Sequence, residues 1–197
     1  MNQTRTPTAI SFQELTANSF ADFEKLFEST GGPKHCWCMA WRRTAEEAKH
    51  AGSGSLKAAM SSRVMMGTPV GILGYMDGQP VAWCSVAPRS THRRLVSDGS
   101  SDDGVWSITC FFVTRSLRGS AISKQLLAAA TGHAQRRGAE VIESYPVDHD
   151  SPSYRFMGFV SMFAGAGFVQ VGHEGKRRKV MRISVGAQHE RDALQRT

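Results

Sequence analysis

The chain has 197 residues, of which 41% are hydrophobic and 21% charged, a balance that excludes wholesale disorder and, with 19 glycines in no period, excludes collagen-like and low-complexity classes. The 24 lysines and arginines outnumber the 17 aspartates and glutamates, giving a net charge of +7 that favours anionic partners. One domain is expected over 1–197, with a core at 9–185 and a charged tail at 186–197.

Residues 9–15 alternate well enough for a first strand. Asn18 or Ser19 is positioned to cap a helix whose Phe20, Phe23, Leu26 and Phe27 form one apolar face, stopped by Gly31, Gly32 and Pro33. Residues 34–43 then crowd two tryptophans, two cysteines and two arginines together. Thr44 and Glu47 read as a capping box. Gly52 and Gly54 interrupt the helical run, and Leu56, Met60 and Val64 share one face of its continuation. Residues 69–76 and 79–86 are strands joined by the Asp77-Gly78 hairpin turn. Residues 91–104 read as a polar surface loop.

Residues 105–113 carry the strongest strand signal and, being nearly apolar throughout, are expected at the centre of a sheet. Ile122, Leu126, Leu127, Ala130 and Ala134 follow at helical spacing up to Gly138. Residues 140–147 form the next strand, 156–166 a short helix, and 167–171 and 179–185 an antiparallel pair around a basic turn. The order β-α-α-β-β-β-α-β-α-β-β gives an α/β class with a mixed sheet and helices on its faces. Residues 105–147 form a β-loop-α-β unit, hence two parallel strands joined by a crossover.

The chemistry is expected at the start of that crossover helix. Gly119, Ser120, Ala121 and Ser123 are small, Arg118 and Lys124 flank them, and no acidic residue lies between Asp103 and Glu140. Unpaired first-turn amides and a positive dipole end suit a phosphate. The spacing fits neither a P-loop nor a dinucleotide-binding fingerprint.

At these residues the chain resembles the GNAT superfamily of acyl-CoA N-acyltransferases, in an uncharacterised bacterial branch. Val113 ends the strand, Arg118-Gly119-Ser120-Ala121-Ile122-Ser123 follows, Leu126-Leu127 falls in register, and Gly167-Phe168 comes after the short helix. The resemblance implies the GNAT fold and transfer of an acetyl group from acetyl-CoA, as co-substrate, to a primary amine of a small molecule or peptide by direct attack in a ternary complex. It implies that Phe111, Phe112 and Val113 pair with the pantetheine arm, that amides of Gly119, Ser120, Ala121, Ile122 and Ser123 hold the pyrophosphate with Arg118 fixing the loop, and that a bulge in the fourth strand aims a backbone group at the thioester. Trp37, Trp41 and Arg42 lie where the family walls its acceptor pocket. The family's loop glycine is Ala121 here, and its acidic tyrosine is replaced by Phe163.

Glu143 is therefore the candidate base and Tyr154 the candidate acid, with Tyr145 a weaker choice. Glu143 could equally be the buried ion-pair partner of an arginine such as Arg89, and each tyrosine a core residue with a bonded hydroxyl. Trp37 and Trp41 could equally fill space under a loop. Cys36, Cys38, Cys84 and Cys110 are expected as free thiols of a cytoplasmic protein, with no metal. No apolar run approaches the roughly 20 residues of a membrane span, and the N-terminal residues lead into no apolar signal segment. The basic balance argues for an acidic or amino-acid-like acceptor and against polycations. A CoA-binding sensor without turnover is the alternative, ahead of a nucleic-acid-binding protein, for which no aromatic-basic platform is evident. Homodimerisation stays open.

Overall fold

A computed structural model describes residues 9–50, 52–95, 103–119 and 121–186. Seven strands form one sheet in the order β1-β2-β3-β4-β5-β7-β6. They are β1 (Ser11–Glu14), β2 (Ile72–Met76), β3 (Gln79–Pro88), β4 (Val105–Val113), β5 (Val141–Ser144), β6 (Val169–Glu174) and β7 (Arg178–Ser184). The helices are α1 (Phe20–Glu28), α2 (Ala45–Lys49), α3 (Ser53–Met65), α4 (Ile122–Arg136) and α5 (Val160–Ala164). β4, the apolar strand, is central, and its pairing with β5 is the parallel one; the other pairs are antiparallel.

Each face of the sheet carries a core. On one, Ala82, Cys84 and Val86 of β3 and Ile108 of β4 pack against Leu126, Leu127 and Ala130 of α4. On the other, Trp83 and Phe112 pack against Phe23 and Phe27 of α1 and Met60 of α3. Trp37, beside Phe27 at 5.6 Å between ring centroids, belongs to this second core. A smaller cluster of Leu95, Tyr145 and Met157, with Trp41 and Val180, lies off the end of β5.

The local signals work as expected at several points. Thr44 Oγ1 accepts from the Glu47 amide at 3.1 Å, while Glu47 Oε2 accepts from the Thr44 amide at 2.7 Å, closing the capping box. Asp77 and Gly78 both have positive φ (51° and 70°), as a type I′ hairpin requires.

Elsewhere the boundaries differ. β1 is shorter than 9–15, because Leu15 turns to donate to Gly71 O at 2.9 Å. The break expected at Gly52 to Gly54 falls earlier, between Lys49 and Ser53, and Gly54 lies within α3. β5 stops at Ser144, leaving Val147 in an isolated bridge to Phe159. The helix expected over 156–166 is a 3-10 turn, Arg155–Met157, followed by α5, since Gly158 at φ +88° divides them. A Cβ at Gly158 would come within 2.8 Å of Phe163, so the position excludes other residues on both counts. Residues 96–102 of the expected loop at 91–104, the tail beyond 186, and Ser120 lie outside the described residues. Among the described residues, no helix is long and apolar enough to cross a membrane.

Candidate active site

Two features open the sheet beside β4. β5 pairs with β4 only from Val105↔Val141 to Ile108↔Ser144, so Cys110 to Val113 pair with β3 alone. In the β3–β4 ladder Ser85 faces Cys110 and Val86 faces Ile108, which leaves Thr109 over as a bulge. The extra residue shifts the side-chain alternation. Cys110 and Phe112 consequently join the α1–α3 core, while Phe111 packs toward α4.

A cavity of about 350 Å³ lies against this bulge. Its walls are Thr109 to Phe112 of β4, the 33–41 segment and Phe156. Trp41 lines it, but Trp37 and Arg42 do not. Trp37 is 2% exposed within the core. Arg42 is 1% exposed, donating through Nη2 to Val70 O and Ser85 Oγ (both 2.9 Å) and through Nη1 to Thr91 Oγ1 (2.9 Å). Burial lowers its pKa to about 10. Both residues therefore brace the 33–44 segment from behind, which corrects their expected contact with an acceptor.

Behind the cavity wall lies a polar cluster. Thr109 Oγ1 donates to Ser85 Oγ at 3.0 Å and lies 3.2 Å from His92 Nε2. His92 is wholly buried, and burial, then the Arg42 charge, pushes its pKa well below the ordinary range. Trp83 Nε1 donates to Cys38 Sγ at 3.0 Å. Burial raises the Cys38 pKa, but hydrogen bonds from Cys110 and Trp83, the Arg42 charge and a hydrogen bond from Ser85 outweigh it, holding this thiol below its usual value. Trp37 and Cys38 sit in consecutive left-handed conformations, φ 46° and 55°, rare for such residues. The four cysteines are free thiols.

Glu143 does not line the cavity. It is 2% exposed on β5, opposite Ser107 and Arg182. Its Oε2 accepts from Arg182 Nε at 2.6 Å, its Oε1 accepts from the Tyr145 hydroxyl, and Arg89 Nη1 lies at 3.6 Å. A carboxylate with its oxygens committed to two cations and a phenol is an ion-pair residue, so the geometry corrects its expected role as base. Tyr145, whose pKa is raised by burial and by Glu143, holds its proton. Tyr154 has a left-handed backbone (φ 61°), is 36% exposed, and its ring lies 6.2 Å from that of Trp41, tilted by 34°. Phe163 is fully buried between Phe111 and Phe168, so no hydroxyl stands at that point.

At the other end of the opening, Arg118 Nε donates to Val113 O at 3.1 Å, tying the loop to the strand end. Gly119 has φ +79°, a conformation that favours glycine, and faces open space. Ala121 is the N-cap residue at φ −68°, and Lys124 and Gln125 both donate to its carbonyl at 3.1 Å. The first turn of α4 contains no acid. A groove of about 240 Å³ runs beside it, lined by Lys124 and Leu127 of α4 and by Ser161, Met162, Gly165 and Ala166.

The sequence reading missed His92, Ser85 and Arg182, and it placed Arg178 only in a solvated basic hairpin tip that could steer an anionic acceptor. Each lies far along the chain from the partners it meets, and no local motif marks them.

A bulged central strand, a parallel neighbour that ends early, and a basic helix start leave a strand edge and a helix end open together. The model of the GNAT acetyltransferase family matches residues 34–159, and the chain belongs to that family. No curated protein sequence matches. Solved structures that resemble the chain include PaiA N-acetyltransferase from Thermoplasma acidophilum in complex with coenzyme A (11% identity, covering 89% of this chain and 99% of that one, TM-score 0.52). An uncharacterised protein from Bacillus halodurans is also similar (13%, 93% and 89%, TM-score 0.59). So is AAC(6')-Ib in complex with paromomycin and acetyl-CoA (14%, 92% and 96%, TM-score 0.57). At these identities the likeness shows the fold.

Proposed function

We propose that this chain transfers an acetyl group from acetyl-CoA to a primary amine of a small molecule or peptide, by direct attack while both are bound. The observation that carries the reading is the bulge at Thr109 beside a β4 edge with no strand partner, which leads directly to the Gly119–α4 loop. In this reading the free edge of Phe111, Phe112 and Val113 takes the pantetheine arm as an added strand. Arg118 and the amides of Gly119, Ser120, Ala121, Ile122 and Ser123 hold the pyrophosphate. The bulge turns a backbone N–H toward the thioester carbonyl, where it stabilises developing negative charge.

The attacking amine has to be neutral. The cavity walls do part of that work, because Pro33, Ala40, Phe111, Phe112 and Phe156 offer an ammonium no counter-charge, and its desolvation favours the free base. Glu143 acts as a positioning residue that orients Tyr145, Arg89 and Arg182. Tyr154 remains the candidate acid for the departing thiolate.

Calorimetric titration with acetyl-CoA, followed by thiol release over an amine panel, tests the reading. Binding with micromolar-range affinity and amine-dependent thiol release are expected; absence of any coenzyme binding by folded protein sinks it. Phe163 favours a second reading, a coenzyme-holding sensor, which predicts the same binding with no thiol release from any amine.

A further inference from the structure

Beside the cavity lie two buried donors without acceptors. Arg178, at the start of β7 and 9% exposed, places its guanidinium carbon 4.5 Å from the Trp41 ring centroid and 5.1 Å from that of Tyr154. Its Nη2 reaches Glu174 at 3.4 Å, a long contact to a part-exposed carboxylate, while its Nη1 is buried with no partner. The indole Nε1 of Trp41, in the same stack, is also buried with no partner. A buried donor left without a partner is costly, and native proteins keep few of them. The left-handed backbone of Tyr154 adds strain to hold its ring over the same guanidinium.

Trp41 belongs to the wall of the 350 Å³ cavity, and Arg178 and Tyr154 to that of a neighbouring 260 Å³ pocket. A ligand meeting both donors has to supply acceptor oxygens. The charges around it select an anion. Lys176 and Arg177 are in the same turn, with Arg177 donating to Ser153 Oγ at 3.0 Å, and Lys179 lies 3.7 Å from Asp148. Glu174 and Asp148 offset only part of that charge.

We propose that Arg178 Nη1 and Trp41 Nε1 form a carboxylate-binding subsite, so that the acceptor is an amine bearing a carboxylate. This deepens the acetyl-transfer reading and rests on it for the amine alone. Because Trp41 lines the reaction cavity as well, amine and carboxylate are close together, as in an amino acid or a short peptide. Arg178 fixes the acceptor by a charge-assisted hydrogen bond and takes no part in the bond changes. Its contact with the Trp41 and Tyr154 rings holds the guanidinium ready, limiting the entropy lost on binding.

The test follows the Trp41 indole N–H in nitrogen-15 correlation spectra of the full chain, assigned with Trp41→Phe. Benzoate is the probe, and benzamide is the neutral control of the same shape. The expected result is a saturable downfield shift with benzoate, at least tenfold weaker binding of benzamide, and loss of that difference in Arg178→Met. Arg178→Lys, which keeps the charge, retains part of it and serves if the methionine variant misfolds. In turnover, phenylalanine is expected to show at least a tenfold lower KM than phenylalaninamide, a preference that Arg178→Lys narrows. An indole resonance unmoved by benzoate, or equal binding of benzoate and benzamide, overturns the proposal. Failure of the acetyl-transfer reading registers separately, as loss of coenzyme binding in calorimetry.

Discussion

At the scale of single residues, burial decides which side chains do chemistry and which do structure. Glu143, Arg42 and Trp37 have the residue types of a site, yet each is enclosed with its partners. His92 shows the same effect through its titration. Its pKa in the folded chain lies well below 6.5, so stability from keeping it neutral is complete above about pH 6.5. That stability is lost as pH falls toward the folded value, at up to about 1.4 kcal/mol per pH unit. His133, whose pKa is lowered by burial and by Arg137 and Arg136, adds to the same slope. Thermal midpoints measured from pH 7.5 to 5 are expected to fall, and His92→Gln to flatten the fall while lowering the midpoint at pH 7.5. An unchanged slope in the variant would show that the imidazole titrates normally.

At the scale of elements, one extra residue in β4 has the widest consequence. Thr109 breaks the alternation, so an apolar strand that could have been buried evenly presents Thr109 to Phe112 to a cavity. The same reasoning applies to α5, where Phe163 interlocks with Phe168 at 5.1 Å and crowds Gly158. Phe163→Tyr restores the family's residue type but buries a hydroxyl among Phe111, Phe168 and Met162, with no acceptor on those side chains. We expect a loss of about 1–3 kcal/mol in denaturant unfolding with no gain in turnover. A faster enzyme of undiminished stability would show that the position still reaches the thiolate. Residue spacing placed α4 and β4 accurately because each buries a continuous periodic face. It placed β5 and the 156–166 segment poorly, because Gly158 and the early end of β5 answer to neighbours distant in sequence.

At the scale of the whole molecule, the excess of seven positive charges acts as a field rather than as contacts. Arg115, Arg118 and Lys124 concentrate it where α4 begins, and Lys176 to Lys179 at the β6–β7 turn. A coenzyme with several negative charges feels the first cluster through solvent, so its affinity is expected to weaken several-fold between 50 and 500 mM KCl. The benzoate affinity of the half-enclosed Arg178 site is expected to change less. Calorimetry at the two salt concentrations checks both, and a salt-independent coenzyme affinity would move the binding away from the basic loop.

What the chain's local order determined by itself was the element sequence, the central strand, the hairpin turn, the capping box and the small, basic start of α4. These are properties of neighbours in sequence, where periodicity, turn residues and helix ends act within a few positions. Only the tertiary structure decided which polar groups meet. Glu143 found Arg182 instead of a substrate, Trp41 was separated from Trp37, and Arg178 came to lie over Trp41 from the far end of the sheet. Those pairings depend on strand register and on the bulge at Thr109, and neither leaves a mark on local composition.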